Sequence, residues 1–461
     1  MKQRIRGWGA LVNNDAVTRA HVGKLLVGLT AATIDVMDFI AIAFVAPFIA
    51  HTIYPSPSFA KSLVVVIALF ASSALVRPIG GPMIGSLADR IGRKKALYLG
   101  LGGLGTTAIL TGLIPGYSAI GLASPGLFLV VRITQGFFVA GVIAGSYSFA
   151  VESFPEKYRA LLTGLTGMGG SLAHLLVAYV FLAVSLAFTG ASFATVGWRY
   201  MFFAMGILTF AVLAYTYFVS ESQTYELAKS TRNVTRTPVR ELFSGTSGYR
   251  RITFLAVITL SGGAGVSFAL NGLSTFLAVA VKMQQTQIAE LLVYAGYIGV
   301  AGNIIGGIIA HKYKSTRNLL RIYSLLYIPG AFTFLAMPMF GKSFGIVVLL
   351  AGFTYLLSYL HAPMNNLYNN EAFPTRVRVS GMGLAWNMGY FTAGVAGIVV
   401  TYLLVPFGLG AYPEIVAAGL VLLALLSYSG ATLSKETRGN IGREVALEAA
   451  SVQGGSETPP N

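Results

Sequence analysis

The chain has 461 residues, of which 55% are hydrophobic and only 10% are charged, whereas about 25% of the residues in an average soluble domain are charged. It contains no cysteine, which excludes disulfides, thiolate metal sites and cysteine nucleophiles. The formal net charge is +16, so nucleic acid and acidic lipid both have to be weighed as partners. The composition indicates a membrane protein. The positions of the basic residues along the chain show whether their charge reflects a binding partner or the orientation in the membrane.

Apolar segments follow one another along the whole chain, and each is long enough to cross about 30 Å of hydrocarbon. The start of the chain is basic but lacks the compact apolar core of a cleavable signal peptide, so we expect the amino terminus to be retained. The predicted fold is an all-α membrane protein with twelve transmembrane helices, at about 22–50, 61–88, 96–114, 125–151, 160–188, 198–220, 251–281, 287–310, 319–338, 343–368, 379–406 and 411–433.

Basic residues collect on one side of the membrane in this arrangement. If the amino terminus lies in the cytoplasm, 26 of the 32 Lys and Arg residues fall in the termini and loops on that side. The positive-inside rule therefore places both termini in the cytoplasm, and it accounts for the net charge without nucleic acid. We expect a monomeric, multi-pass protein of the plasma membrane, with the lipid bilayer as its surroundings.

Charged residues also lie inside the first, second and fourth segments, where each charge costs at least about 2.5 kcal/mol on insertion scales. Asp35 and Asp38 are three residues apart and therefore share one face of the first helix. From the rise of about 1.5 Å per residue, Asp35 is level with Arg77, and Asp38 lies between Arg77 and Arg132 in depth. Each of these charges therefore needs a compensating ionic partner or a functional role.

A short basic loop, GSLADRIGRKK at 85–95, joins the second and third segments. It resembles the signature loop of the major facilitator superfamily, a large class of secondary transporters. The resemblance implies that this loop latches the outward-open state, with an acidic side chain near a helix amino terminus and basic side chains bound to neighbouring helix ends. A positive-inside loop that merely collects Lys and Arg is the alternative. The matching latch residues are Gly85, Asp89, Arg90, Gly92 and Arg93.

The sequence repeats itself across its two halves. ESFPEKYR at 152–159 recurs as EAFPTRVR at 371–378, and the basic loop has a degraded copy, GIIAHKYKSTR, that starts at Gly307. Two copies of a six-helix unit are therefore predicted, with a substrate site between them near mid-membrane, as in this superfamily. The predicted units are the bundles at 1–220 and 251–433, a polar cytoplasmic linker at 221–250, and a disordered cytoplasmic tail at 434–461.

Two longer stretches narrow the resemblance. RPIGGPMIGSLADRIGRKKAL and EAFPTRVRVSGMGLAWNMG are similar to the metabolite:proton symporter group, and TIDVMDF at 33–39 is similar to the sialate and lactate symporter group. Both groups carry organic carboxylates among their substrates. Val142 stands where many metabolite symporters have a Glu, and the fifth segment lacks the Gly-Pro pattern of drug antiporters. The resemblance favours symport over drug efflux.

The buried charges supply a coupling hypothesis. RITQG at 132–136 matches the family pattern in which the arginine neighbours the carboxylate of the first helix. We interpret Asp38 as the proton carrier, Arg132 as its ionic partner and Asp35 as a like charge that eases proton capture. A static salt bridge would satisfy the same insertion cost. Arg77 then meets a substrate carboxylate through its guanidinium fork, or it only neutralises Asp35.

Other polar residues inside the segments are candidate substrate contacts. They are Asn271, His361, Asn387 and Tyr390, and Asn387 stands out because AWNMG matches the family pattern of the eleventh helix. Hydrogen bonding between helices explains each amide equally well. A lone histidine inside the membrane is more often a packing residue than a proton relay.

These observations predict a proton-coupled symporter that imports a small organic anion, a mono- or dicarboxylate, by alternating access. The alternatives are a symporter of a zwitterion, polyol or sugar, in which Arg77 is structural, and a membrane sensor that transports nothing. The sensor is disfavoured because the tails show no folded domain. An enzyme is not expected, since the sequence offers no nucleophile, metal cluster or phosphate loop, and no cofactor is expected.

Overall fold

The computed structural model describes residues 17–57, 59–231, 233, 235–244, 249–341, 343–407 and 412–454. Within these residues all regular secondary structure is helical, and no strand is formed. The long helices are α1 (Arg19–Ile53), α2 (Phe59–Ile91), α3 (Arg93–Leu113), α4 (Ala123–Glu152), α5 (Glu156–Ala187), α6 (Trp198–Tyr217), α7 (Tyr249–Val279), α8 (Gln285–Lys312), α9 (Thr316–Ala336), α10 (Phe344–Ala372), α11 (Arg378–Phe407) and α12 (Tyr412–Leu433).

Short helical elements connect or follow the long helices. They are α-helices at Tyr117–Ile120, Gln223–Ser230, Pro238–Phe243 and Asn440–Gly454, a π-helix at Phe193–Gly197, and 3₁₀ turns at Met337–Phe340 and Thr375–Val377. Of the residues that the structure describes, ten helices carry an apolar span long enough to cross a membrane. The predicted all-α membrane fold is confirmed.

The helix packing repeats between the two halves of the chain. In the first half, α1 packs on α5, α2 on α4, and α3 on α6. In the second half the same pairs recur six helices later, because α7 packs on α11, α8 on α10, and α9 on α12. The halves meet along two seams, α2 against α11 and α5 against α8.

Glycines let the backbones approach closely at both seams. A β-carbon on Gly81 of α2 would lie 2.4 Å from the carbonyl oxygen of Gly383 of α11, and one on Gly164 of α5 would lie 2.8 Å from the α-carbon of Gly307 of α8. Real β-carbons do not come this close to backbone atoms. Small residues at these positions therefore set the distance between the two halves.

The loop between α2 and α3 is tighter than the sequence indicates. The helix α2 continues to Ile91, α3 starts at Arg93, and Gly92 alone turns the chain with a φ of 113°. This positive φ favours glycine, which has no β-carbon to clash with the backbone. We call the end of the bundle that carries this turn the Asp89 end.

The prediction of a disordered tail is wrong for residues 440–454, which form the helix Asn440–Gly454. Polar contacts hold this helix at the Asp89 end: Glu444 pairs with Arg378 of α11 at 2.7 Å, and Asn233 of the linker donates to Glu448 at 2.5 Å. Low hydropathy over 434–461 suggested disorder, but a helix can be stabilised by charged contacts to its neighbours. Residues 455–461 lie outside the described part.

Candidate functional site

A cavity of about 90 Å³ lies between the two halves. This volume is several times the roughly 10–15 Å³ that a water molecule needs. Both halves contribute to the walls, from α1, α4 and α5 on one side and from α7, α9, α10 and α11 on the other. The polar and aromatic lining residues are Phe39, Tyr147, His174, Tyr327, Ser358, Tyr359, His361, Asn365, Asn366, Trp386 and Tyr390.

The first ion pair near this cavity joins Asp38 of α1 to Arg132 of α4. Two guanidinium nitrogens of Arg132 donate to the two oxygens of Asp38, at 2.7 and 3.2 Å, and Gln135 donates to the same carboxylate at 3.0 Å. Arg132 also donates to Ser73 at 3.3 Å, and both charged side chains are fully buried. A bidentate pair with this many partners is a strong contact, and it holds α1, α2 and α4 together.

The second ion pair, Asp35 with Arg77 of α2, has far fewer partners. The shortest contact is 3.1 Å and both side chains are fully buried. All three guanidinium nitrogens of Arg77, and one oxygen of Asp35, lack hydrogen bonds to the described residues. The other oxygen of Asp35 accepts a bond from the Tyr390 hydroxyl at 3.2 Å.

Tyr390 separates this second pair from the cavity. Its ring lines the cavity, and the guanidinium carbon of Arg77 lies 4.2 Å from the ring centroid. Arg77 itself is not among the lining residues. In this conformation Arg77 neutralises Asp35, which was one of the two roles that the sequence left open.

Within the cavity, His361 presents a hydrogen-bond donor. Its Nδ1 is bonded to the Tyr327 hydroxyl and, at 3.0 Å, to the Asn365 amide nitrogen. An amide nitrogen only donates, so Nδ1 is an acceptor and the ring proton of the neutral imidazole resides on Nε2. That Nε2, the indole nitrogen of Trp386 and the amide oxygen of Asn365 have no partner among the described residues. They are free to bind a polar ligand.

The remaining predicted contacts divide into three groups. Tyr390 and His361 line the cavity, as just described. Asn387 does not, because its amide donates to the backbone oxygens of Ala140 at 2.9 Å and Gly383 at 2.7 Å. Its amide nitrogen therefore bonds α4 and its own helix in this conformation, while its amide oxygen has no partner among the described residues. A substrate contact by Asn387 stays a prediction. The side chain of Asn271 lies outside the described residues.

Sequence reasoning missed most of the aromatic lining. Tyr147, Tyr327, Tyr359 and Trp386 carry no charge, so neither the insertion cost nor the hydropathy pattern distinguishes them from packing residues. Trp386 had one available signal, since it lies in AWNMG, the motif from which only its neighbour Asn387 was chosen. Packing, rather than charge, determines which of these rings face the cavity.

At the Asp89 end, a carboxylate of α2 caps α11. Asp89 accepts bonds from the backbone nitrogens of Val379 at 3.1 Å and Ser380 at 2.9 Å, and from the Ser380 hydroxyl at 2.7 Å. These nitrogens belong to the first turn of α11, where backbone N–H groups are otherwise unpaired. The contact links the first half of the chain directly to the second.

A second carboxylate, Glu152 at the end of α4, extends this link. Glu152 pairs with Arg93 at the start of α3 at 3.3 Å and with Arg378 of α11 at 2.8 Å. It also accepts a hydrogen bond from the Ser222 hydroxyl at 2.9 Å. Nearby, Glu221 accepts from the backbone nitrogen of Lys94 at 3.1 Å, and burial raises the pKa of Glu221. The linker and both halves therefore share one buried charge network.

The other latch residues take separate positions. Gly85 lies against α11, where a β-carbon would come within 2.6 Å of the Val379 carbonyl oxygen. The Arg90 side chain is exposed and forms no ion pair with the described residues, while its carbonyl accepts from the Tyr225 hydroxyl at 2.9 Å. The structure thus brings Gly85, Asp89 and Arg93 to the seam but leaves the Arg90 charge outside it.

Comparison with known proteins gives consistent matches. Residues 28–398 match the family model described as Major Facilitator Superfamily. The chain is 28% identical over 427 residues to the inner membrane metabolite transport protein YhjE of Escherichia coli, covering 90% of this chain and 94% of that protein. It is 23% identical to the citrate-proton symporter of Klebsiella pneumoniae, over 83% of this chain and 86% of that protein.

Two further likenesses bear on the fold and the substrate. The proline/betaine transporter of Escherichia coli is 32% identical over 191 residues, which is 41% of this chain and 38% of that protein. A structure of the proton:xylose symporter XylE bound to 6-bromo-6-deoxy-D-glucose has a TM-score of 0.73 at 20% identity, covering 93% of this chain and 98% of that one. The structural likeness shows a shared fold.

Proposed function

The chain belongs to the major facilitator superfamily, and we propose that it is a proton-coupled symporter that imports a small organic anion by alternating access. It is a transporter and not an enzyme. Proton coupling is supported by the names of its relatives, which include a citrate-proton symporter. The anion is a mono- or dicarboxylate in this proposal, and the protein lies in the plasma membrane with both termini in the cytoplasm.

The observation that carries the proposal is the unsatisfied pair of Asp35 and Arg77 behind Tyr390. Burying an arginine without hydrogen bonds costs free energy of folding unless a ligand accepts bonds from its guanidinium group. A carboxylate substrate fits that need because its two oxygens match the guanidinium fork. The unpaired donors of His361 and Trp386 would hold the same anion from within the cavity.

Coupling follows if the proton and the anion depend on each other at this pair. When Asp35 takes up a proton it no longer attracts Arg77, and the guanidinium becomes available to the anion. Without the proton, Asp35 and the anion would compete for one cation. The two ligands therefore favour each other's binding, which is the reciprocal coupling that symport requires.

This proposal makes Asp35, rather than Asp38, the residue that carries the proton. The carboxylate of Asp38 already accepts two bonds from Arg132 and one from Gln135, so protonation would sacrifice several charge-assisted contacts. That geometry favours the static ion pair that the sequence left as the alternative for Asp38 and Arg132. In our proposal they fix α1 against α4 and hold Asp35 in place.

The charge network at the Asp89 end serves as the latch in this scheme. It closes the bundle at the side to which the positive-inside rule assigns the cytoplasm. Breaking the bonds from Asp89 to α11 and from Glu152 to Arg378 would let the halves separate there. Substrate and proton release to the cytoplasm would follow this opening.

A zwitterion is the second candidate substrate, and the cavity lining supports it. Aromatic rings of Tyr147, Tyr359, Trp386 and Tyr390 surround the space, and such rings attract quaternary ammonium groups through cation–π interactions. The likeness to a proline/betaine transporter over 41% of the chain agrees with this alternative. A betaine would place its carboxylate toward Arg77 and its ammonium among the rings.

The test uses the purified protein in liposomes that contain a pH-sensitive dye. Lactate, succinate, citrate, glycine betaine, proline and xylose are added outside in turn, and internal acidification reports proton entry with substrate. We expect acidification with one or more carboxylates and none with xylose. Acidification by betaine or proline alone would select the zwitterion, and no acidification by any compound, with the protein folded, would contradict proton symport of this substrate class.

A further inference from the structure

A second concave surface lies on the flank of the second half, at the Asp89 end. It is a groove of about 720 Å³ between α7, α11 and the short linker helix Pro238–Phe243. Its lining residues are Phe243, Arg250, Arg251, Thr253, Phe254, Val257, Leu384 and Met388. Phe243 and Phe254 are 55% and 65% exposed. We call this surface the α7–α11 groove.

Among the residues that the structure describes, no acidic side chain compensates the charge of the groove. Arg250 and Arg251 are both exposed, and within the described residues neither forms an ion pair. Neighbouring acidic residues are engaged elsewhere, since Glu241 of the linker helix pairs with Arg376 at 2.8 Å. Two guanidinium groups therefore face one opening with no anion supplied by the described part of the chain.

The groove changes from charged to apolar along the helix axis. Arg250, Phe254 and Val257 are spaced at i, i+4 and i+7 and share one face of α7. At about 1.5 Å per residue, Phe254 lies about 6 Å and Val257 about 10 Å deeper than Arg250. Leu384 and Met388 form the opposite apolar wall on α11. A charged rim above an apolar trough at a membrane end matches a headgroup followed by acyl chains.

From this juxtaposition we infer that the α7–α11 groove binds an anionic phospholipid of the cytoplasmic leaflet, with its phosphate at Arg250 and Arg251 and an acyl chain between Phe254, Val257 and Met388. Basic pockets between membrane helices on the cytoplasmic side are suited to such headgroups. A soluble anion would use only the arginines and leave the apolar trough exposed to lipid tails. A neutral phospholipid would fill the trough but leave both charges unpaired.

The position of the groove connects it to the latch. Leu384 and Met388 lie one and two turns beyond Ser380, which Asp89 holds at the start of α11. The linker helix on the other wall packs against α2 and α11. A lipid in the groove would therefore contact α11, one of the two helices that separate when the Asp89 end opens.

The test titrates delipidated, purified protein with dioleoyl phosphatidylglycerol or dioleoyl phosphatidylcholine and counts bound lipids by native mass spectrometry. With about a fivefold gain for each arginine, the first phosphatidylglycerol should bind about 25-fold more tightly than phosphatidylcholine. Arg250→Gln/Arg251→Gln should abolish this preference. The matched control, Lys312→Gln/Lys314→Gln, removes two exposed charges from the same end outside the groove and should keep it.

A second variant protects the test against misfolding. Val257→Trp keeps both arginines but fills the apolar trough, so it should weaken phosphatidylglycerol binding. In a separate competition with the wild-type protein, inorganic phosphate at millimolar concentration should not displace the bound lipid. Equal binding of the two lipids, an unchanged preference in the arginine variant, or displacement by phosphate alone would each overturn the assignment of a lipid site.

Discussion

At the scale of single residues, two ion pairs on one face of α1 differ in how completely they are satisfied. Asp38 has a bidentate arginine and a glutamine, whereas Asp35 has one contact at 3.1 Å and a tyrosine hydroxyl. Removing one member of a buried pair costs about 3–5 kcal/mol because it leaves an uncompensated charge. The well-satisfied pair is thus suited to structure, and the poorly satisfied one to exchange of partners.

The role of Arg77 in substrate binding gives the first mutational prediction. Arg77→Gln removes the fork that would bind a carboxylate, so affinity for the anion should fall about 30-fold or more, from the loss of about 2 kcal/mol of charge-assisted contact. Binding is measured by isothermal titration of purified protein. The variant also leaves Asp35 buried without a cation.

The matched control for this prediction is the double variant Arg77→Gln/Asp35→Asn, which removes both charges together. It should recover the melting temperature that the single variant loses, but not the affinity. If the anion binds either variant as tightly as the wild type, Arg77 is structural and the substrate is held by the cavity residues alone.

The sequence singled out the buried charged residues but not the uncharged residues that line the cavity. Asp35, Asp38, Arg77 and Arg132 stood out because a charge inside the membrane demands a reason, and depth along straight helices placed them near one another. Which carboxylate meets which arginine depends on helix rotation, which sequence spacing does not provide. Asn387 shows the limit, because a motif match cannot tell an amide that bonds backbone from one that faces a ligand.

At the scale of elements, the seam between α2 and α11 combines a close backbone approach with a carboxylate cap. Gly81 and Gly383 let the helices touch, and Asp89 then reaches the first turn of α11. Interactions of a carboxylate with a helix amino terminus contribute up to about 2 kcal/mol when partly buried. The cap is present only while the halves are together at this end, so it favours the closed state of the Asp89 end.

The latch gives the second mutational prediction, for Asp89→Asn. An amide cannot accept three bonds with a full negative charge, so the Asp89 end should open more often and uptake should slow at least tenfold. Because the chain has no cysteine, a single reporter, Ser148→Cys on α4, measures the opening directly. Ser148 is fully buried and contacts Met382 of α11 at 3.3 Å, so its maleimide labelling rate should rise.

Arg90→Gln is the matched control for the latch, since the Arg90 side chain is exposed and outside the seam. It should leave both the labelling rate and uptake within about twofold of the parent. Equal labelling of the Asp89→Asn variant and its parent, with transport also unchanged, would show that the cap does not set the equilibrium between states.

The helix boundaries were predictable where the length of an apolar segment determines them. They were not predictable where a turn residue or a contact with a distant residue determines them. The twelve segments correspond to α1–α12, but the loop expected at 85–95 is a one-residue turn because Gly92 adopts a positive φ. The helix Asn440–Gly454 was missed because its stabilising partners, including Arg378, are distant in sequence.

At the scale of the whole molecule, the two halves that share sequence motifs also share the same pattern of helix packing. The cavity adjoins the Asp35–Arg77 pair through Tyr390, and the charge network lies at the Asp89 end of the same bundle. Alternating access needs a site that both halves share and a gate that only one state closes. The cavity between the halves and the Asp89 network fit these two requirements.

The central claim is that Asp35 carries the proton, and Asp35→Asn in liposomes tests it most directly. The asparagine mimics the protonated carboxyl, so the variant should still exchange labelled anion across the membrane within about twofold of the wild-type rate. It should not accumulate anion above its external concentration when an inward proton gradient is imposed. Asp38→Asn, the matched variant one turn away, should instead lower the melting temperature, because Arg132 loses its buried partner. Exchange without uphill accumulation in Asp35→Asn is the result that we predict. Uphill accumulation that persists in Asp35→Asn but disappears in a folded Asp38→Asn would contradict it and return the carrier role to Asp38.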